Sequence, residues 1–160
     1  MNTSKMKVKI LFLRAARALY SGSQTGPAAA TTASAGFDLR ADLPAGSPVV
    51  IEPGERAGIP TGIAIEPLRD GVAGFVYSRS GLGAVRGLTV AQGVGLIDPD
   101  YRGEIQVFLL NTGREAGAVS RGDRIAQLVF QPFLQPLFIV ADALGETERG
   151  AGGFGHTGKQ

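Results

Sequence analysis

Short apolar runs, each cut off early by glycine or proline, constrain this chain more than any other feature of its sequence. The runs include Val8–Leu13, Val49–Ile51, Ala57–Ile59, Ile63–Ile65, Phe75–Tyr77, Ile105–Leu110, Ile125–Phe130 and Leu137–Val140. Between them lie 24 glycines and 9 prolines. A globular helix needs roughly 8 or more uninterrupted residues, and the punctuation here comes sooner almost everywhere. The pattern predicts many short strands joined by tight turns, hence an all-β fold. With 160 residues, 44% of them hydrophobic, the chain is long enough for one domain with a real core.

Composition narrows the function. There is no cysteine, so disulfides and thiolate metal sites are out, and the single histidine, His156, excludes a histidine zinc cluster. Net charge is only +2 and the basic residues are scattered, so no nucleic-acid partner is expected. No apolar run approaches a membrane span, so no membrane partner is expected either. The first 37 residues lack Asp and Glu and carry several Lys and Arg, superficially like a transit peptide. Val8–Leu13 reads better as a first strand, and a cytoplasmic location is expected. Residues 21–34, rich in Ser, Gly, Thr and Ala, read as a flexible low-complexity loop.

Four stretches carry candidate chemistry. In Gln92-Gly93-Val94-Gly95-Leu96-Ile97-Asp98-Pro99-Asp100-Tyr101-Arg102-Gly103-Glu104, two aspartates, an arginine and a phenol crowd one turn. Pro99 stiffens it and keeps Asp98 extended, while Gly93 and Gly95 allow close backbone approach or positive φ. Such a turn is either a plain solvated connection or a carboxylate fixed beside an aromatic platform. Ala35–Ala41 alternates as a half-buried strand, with Asp38 and Arg40 opposite Phe37 and Leu39. Ser78-Arg79-Ser80-Gly81-Leu82-Gly83 leads from a strand into a possible short helix over 82–86, a setting that favours anions. In the last strand-like run, Ile125, Gln127 and Val129 share a face, and Gln127 is the odd polar member. The glycine-rich tail Arg149–Lys159 is either a frayed end or a mobile arm whose amides wrap phosphates.

In this order the stretches strongly resemble the trimeric dUTP pyrophosphatase (dUTPase) family, whose five motifs match Ala35–Ala41, Arg79–Gly83, Gly95–Glu104, Gly122–Gln127 and Arg149–Gly158. The resemblance implies a jelly-roll-like β-barrel over residues 1–148, assembled as a homotrimer with sites at subunit boundaries. Residues 149–160 are then a mobile arm that closes over the site. It implies hydrolysis of dUTP to dUMP and pyrophosphate with Mg²⁺, which keeps uracil out of DNA and supplies dUMP. Asp98 is the implied catalytic base, activating water for attack on the α-phosphorus. Tyr101 lies under the deoxyribose and leaves no room for a 2′-hydroxyl. Gln92, Gly95 and Ile97 belong to the hairpin that reads uracil. Arg79, Ser80, Gly81, Gln127 and Arg149 contact phosphates, and Asp38 holds a metal-bound water.

Phe154 caps the uracil ring, with Gly155 and His156 beside it in the arm. His156 stands where many relatives have serine, so its protonation below about pH 6.5 is expected to strengthen triphosphate binding. Residues 14–34 depart from the family, lacking its usual proline-containing approach to the first motif. Two rival readings each meet a residue that argues against them. A dCTP deaminase would need a glutamate where this chain has Phe108, which cannot shuttle a proton. A non-enzymatic relative would most simply lack Asp98, Tyr101 or the tail arginine, and all three are present.

Overall fold

The computed structural model describes residues 6–20, 27, 29–31 and 33–153. Among these are eleven strands: β1 (Val8–Phe12), β2 (Phe37–Arg40), β3 (Val49–Ile51), β4 (Arg56–Pro60), β5 (Ile63–Pro67), β6 (Val72–Tyr77), β7 (Leu88–Val90), β8 (Val94–Ile97), β9 (Gln106–Asn111), β10 (Gly117–Val119) and β11 (Arg124–Pro132). All pairings are antiparallel, in sheets ordered β1-β5, β10-β3, β2-β11-β6-β8 and β4-β9-β7. Among the described residues the only helical pieces are a 3₁₀ turn, Ala16–Tyr20, and one π-helical turn, Gly81–Val85. No described helix is long and apolar enough to cross a membrane.

The all-β expectation therefore holds, and the strands form for the predicted reason. In β9, Val107, Leu109 and Asn111 are buried while Gln106 and Phe108 face outward, the period of two that a half-solvated sheet demands. One core runs beneath all four sheets, with Leu39, Ile51, Ile59, Ile63, Leu88, Ile105, Leu109, Ile125 and Leu128 nearly inaccessible. Each such side chain contributes about 1.5–3 kcal/mol of burial. Tyr20 plugs the core edge, its hydroxyl donating to the Thr61 carbonyl at 2.9 Å and accepting from Arg40 N–H at 3.1 Å.

Three expectations are corrected. Leu137–Val140 is not a strand: the four side chains are 84% to 99% exposed, and the segment pairs with no described strand. β-propensity reports fit to a pleated surface, and here the chain supplies no neighbouring strand. The helix over 82–86 is one turn, Gly81–Val85, with Ser80 before it. In β11 the register slips between Arg124 and Ala126, so the bulge buries Ile125 along with Ala126 and Leu128. Gln127 and Val129 remain half-buried, and Ile125 does not share their setting.

Two strands position the site. β11 lies between β2 and β6, which brings Gln127 opposite both Asp38 and Tyr77. β9 lies between β4 and β7, and it begins two residues after the acidic turn ends.

Candidate functional site

The turn and its hairpin form a pocket of about 290 Å³ lined by Gln92, Gly95, Ile97, Asp98, Tyr101 and Phe108, among others. The two hairpin glycines act differently. Gly93 has φ +79°, the conformation that glycine adopts without steric cost at the turn between β7 and β8. Gly95 is needed for space: a Cβ there would sit 3.2 Å from Val76 Cβ and 3.3 Å from Gln92 Nε2. A side chain at 95 would thus crowd the amide of Gln92.

Beyond the hairpin, Tyr101 N–H donates to the Asp98 carbonyl at 3.1 Å, closing the turn. Arg102 donates to the Pro99 carbonyl at 2.7 Å and to that of Tyr101 at 3.1 Å, stapling it. The Tyr101 hydroxyl donates to the Glu104 carbonyl at 3.0 Å, so its ring lies back across residue 103. A Cβ on Gly103 would overlap the Tyr101 hydroxyl and ring. Asp98 itself is exposed, and no described residue bonds its carboxylate. Its oxygens are therefore open to solvent.

A second cluster gathers at the ends of β2, β6 and β11. Asp38 receives Arg79 Nε on Oδ1 at 2.8 Å and Arg124 on Oδ2 at 3.1 Å, with only 14% of its side chain exposed. Arg79, Gly81, Arg86 and Arg124 line a pocket of about 290 Å³. Ser80 is exposed and its side chain makes no capping bond, leaving the hydroxyl available. Ser78 is structural by contrast, its Oγ accepting from Val90 N–H at 2.8 Å. Gly36 makes room for Gln127, since a Cβ at 36 would lie 2.6 Å from Gln127 Oε1.

The structure thus brings Gln92, Gly95, Ile97, Asp98 and Tyr101 together, and it separately gathers Asp38, Arg79, Gly81 and Gln127. The two pockets share no lining residue. Arg149 stands in an exposed turn, its carbonyl accepting from Gly152 N–H at 3.0 Å, and reaches neither. Phe154, Gly155 and His156 lie outside the described residues. No group of three or more metal-ligating side chains occurs among the described residues.

Sequence reasoning missed the residues that hold Tyr101 in place. Gly103 and Glu104 were visible inside the acidic run but were given no role. Arg14 and Gly62 carried no local signal. The Glu104 carboxyl is held below its ordinary pKa, first by hydrogen bonds from Arg14 and, more weakly, from the Gly62 N–H, against the opposing effect of burial.

An exposed carboxylate and an aromatic ring on one pocket, with guanidinium groups lining another, are groups that hydrolysis of a phosphorylated ring compound could use. The comparisons narrow the class. Residues 24–158 match the dUTPase family model, and the chain belongs to that family. It is 49% identical over 155 residues to a deoxyuridine 5′-triphosphate nucleotidohydrolase of Desulfitobacterium hafniense, covering 97% of this chain and 98% of the relative. Among solved structures it resembles a Staphylococcus bacteriophage 80alpha dUTPase with dUpNHpp (TM-score 0.75, 24% identity, 96% of this chain and 99% of that one). It also resembles a mutant dUTPase from phage phi11 of S. aureus, described as coordinating a structural Mg(II) ion (TM-score 0.70, 21% identity, 88% and 99%).

Proposed function

We propose that this chain hydrolyses dUTP to dUMP and pyrophosphate, with Asp98 as the base that activates the attacking water. The observation that carries the assignment is the Asp98 carboxylate, unpartnered on the wall of the hairpin pocket. General base catalysis needs an oxygen that accepts a proton as the bond to phosphorus forms. Deoxyribose lies on Tyr101, and the hairpin from Gln92 to Ile97 reads uracil through its backbone. Phe108 lines the same pocket and offers no proton-transfer group, which favours hydrolysis over ring deamination.

The phosphates fall to Arg79, Ser80, Gly81 and Gln127, with Arg149, Phe154, Gly155 and His156 arriving on the arm formed by residues 149–160. Magnesium fits as a passenger of the triphosphate. The described side chains form no cage for it, and Mg²⁺ characteristically keeps several waters and binds through phosphates and one or two carboxylates. Once bound it neutralises charge on the phosphate oxygens. Asp38 would hold one of its waters, because each of its oxygens, already bonded by a guanidinium, keeps a lone pair free to accept.

The working form is a homotrimer of jelly-roll-like barrels in which each site takes its hairpin pocket and its cationic pocket from different copies. Two observations support this. The half-sites open into separate pockets of one chain. The run from Leu134 to Leu144 also leaves Leu134, Leu137, Phe138, Ile139, Val140 and Leu144 at least 84% exposed, which is apolar surface that a neighbouring copy would cover. The enzyme is placed in the cytoplasm, with no nucleic-acid or membrane partner.

The test begins with pyrophosphate release from dUTP, dCTP, dTTP and UTP. Turnover confined to dUTP and lost in Asp98→Asn is expected; ammonia from dCTP would overturn the reading. Asp98→Asn and Arg79→Ala chains, each inactive alone, are expected to regain part of the activity when mixed and refolded together. No recovery in mixed oligomers would place both half-sites of one reaction in a single copy.

A further inference from the structure

The loop after β1 contains the only non-glycine among the described residues with a left-handed backbone: Arg14, at φ 53°. Such a conformation persists where surrounding contacts over-determine it, and it concentrates at functional positions. Three contacts do so here. Arg14 presents a fork to Glu104, with one terminal nitrogen 3.1 Å from Oε2 and the other on Oε1. Its Nε donates to Asp42 Oδ2 at 2.8 Å. Asp42 is a firm anchor, being 2% exposed and held from its other oxygen by Arg121 at 2.8 Å.

Glu104 is gripped from two sides, since its Oε1 also accepts from Gly62 N–H at 2.7 Å. Gly62 cannot be replaced without strain: it has φ +71°, and a Cβ would overlap Ala16 and stand 2.8 Å from Asp42 Oδ2. Its carbonyl accepts from Leu13 N–H at 2.8 Å, fastening the strand that leads to Arg14. The fourth link returns to the pocket, because the Glu104 carbonyl is what the Tyr101 hydroxyl bonds. Buried Asp42, Arg14, Glu104 and Tyr101 therefore form one continuous chain of contacts. It ends on the ring that faces the sugar.

We propose that Arg14 and Glu104 are positioning residues for sugar selection: their forked ion pair, anchored on Asp42 and Gly62, fixes the height of Tyr101 against the sugar. The proposal rests on the reading of Tyr101 as the deoxyribose platform. Excluding a hydroxyl by shape requires a wall that does not yield. A free tyrosine in an exposed turn would yield, whereas one tied through a bidentate pair to a buried carboxylate does not. Arg14 does not line the hairpin pocket, and Glu104, which does, has its carboxylate engaged by Arg14 and the Gly62 N–H.

The experiment compares kcat/KM for dUTP and UTP in the wild type, Arg14→Gln, Arg14→Lys, Glu104→Gln and Tyr101→Ala, with melting and oligomeric state checked for each. Arg14→Gln and Glu104→Gln are expected to lose about tenfold to a hundredfold on dUTP, the scale of small misplacements. The ratio of UTP to dUTP turnover should rise about tenfold by the same reasoning. Arg14→Lys keeps a charged donor toward Asp42 but loses the fork, so it should shift the ratio in the same direction and less far. It keeps the test open should Arg14→Gln not fold. Loss on both substrates with an unchanged ratio in the folded variants would mean that the pair only stabilises the loop, and the proposal fails. An unchanged ratio in Tyr101→Ala would instead remove the platform reading beneath it.

Discussion

Asp98 and Asp38 are the same side chain in opposite settings. Asp98 stands on an exposed turn where no described residue bonds its carboxylate, on the wall of a pocket that Gln92, Gly95, Tyr101 and Phe108 also line. Asp38 sits in a strand with a guanidinium on each oxygen. A carboxylate with a guanidinium on each oxygen holds two arginines in place. One that no described residue bonds has its oxygens open to water and substrate. The role of each follows from what is bound to it, and residue type alone would assign both the same one.

Substitutions at the two positions should therefore separate activity from stability. Asp98→Asn is expected to cut pyrophosphate release from dUTP by about a thousandfold, within the range for a lost general base, with the urea midpoint unmoved. A lowered midpoint would show that Asp98 has structural partners after all. Asp38→Ala should do the reverse in stability, leaving Arg79 and Arg124 facing each other and costing about 1–3 kcal/mol in urea denaturation. If the midpoint holds, the two arginines are not restrained by Asp38 and the contrast collapses. Gly36→Ala is milder, pushing the Gln127 amide away from the cationic cluster. It should raise KM for dUTP about fivefold, equivalent to about 1 kcal/mol, while kcat holds.

The smallest effect is a pH dependence. The folded Glu104 carboxyl lies below its ordinary value of 4.5, so its stabilisation is fully present above that pH and fades as pH falls. The difference in melting temperature between the wild type and Glu104→Gln should be constant near neutrality and shrink below about pH 4.5. A difference that persists at pH 3 would mean that the ion pair is not its source.

Legibility followed distance along the chain. Asp98, Tyr101 and the hairpin glycines lie within one short run, where turn chemistry is local, and they were readable there. The Asp38 motif was readable too, but its guanidinium partners come from 41 and 86 residues away. Arg14 reaches Glu104 across 90 residues and had no signature at all. Leu137–Val140 was misread because a strand requires a partner edge, and no count of β-formers shows whether one exists. Ile125 was assigned to the wrong setting because a bulge shifts the register by a residue without marking the sequence.

What this sequence determined by itself was the all-β character, the turn at Pro99 and the chemical means for hydrolysis. Those depend on torsional preferences and side-chain functional groups held within a few residues of one another. Only the tertiary structure decided which aspartate lacks a described partner and which is paired with two arginines, that the hairpin pocket and the arginine-lined pocket are separate, and that Tyr101 is tied to a buried carboxylate. These properties are set by which distant side chains packing brings into contact, and electrostatic roles depend on those distances.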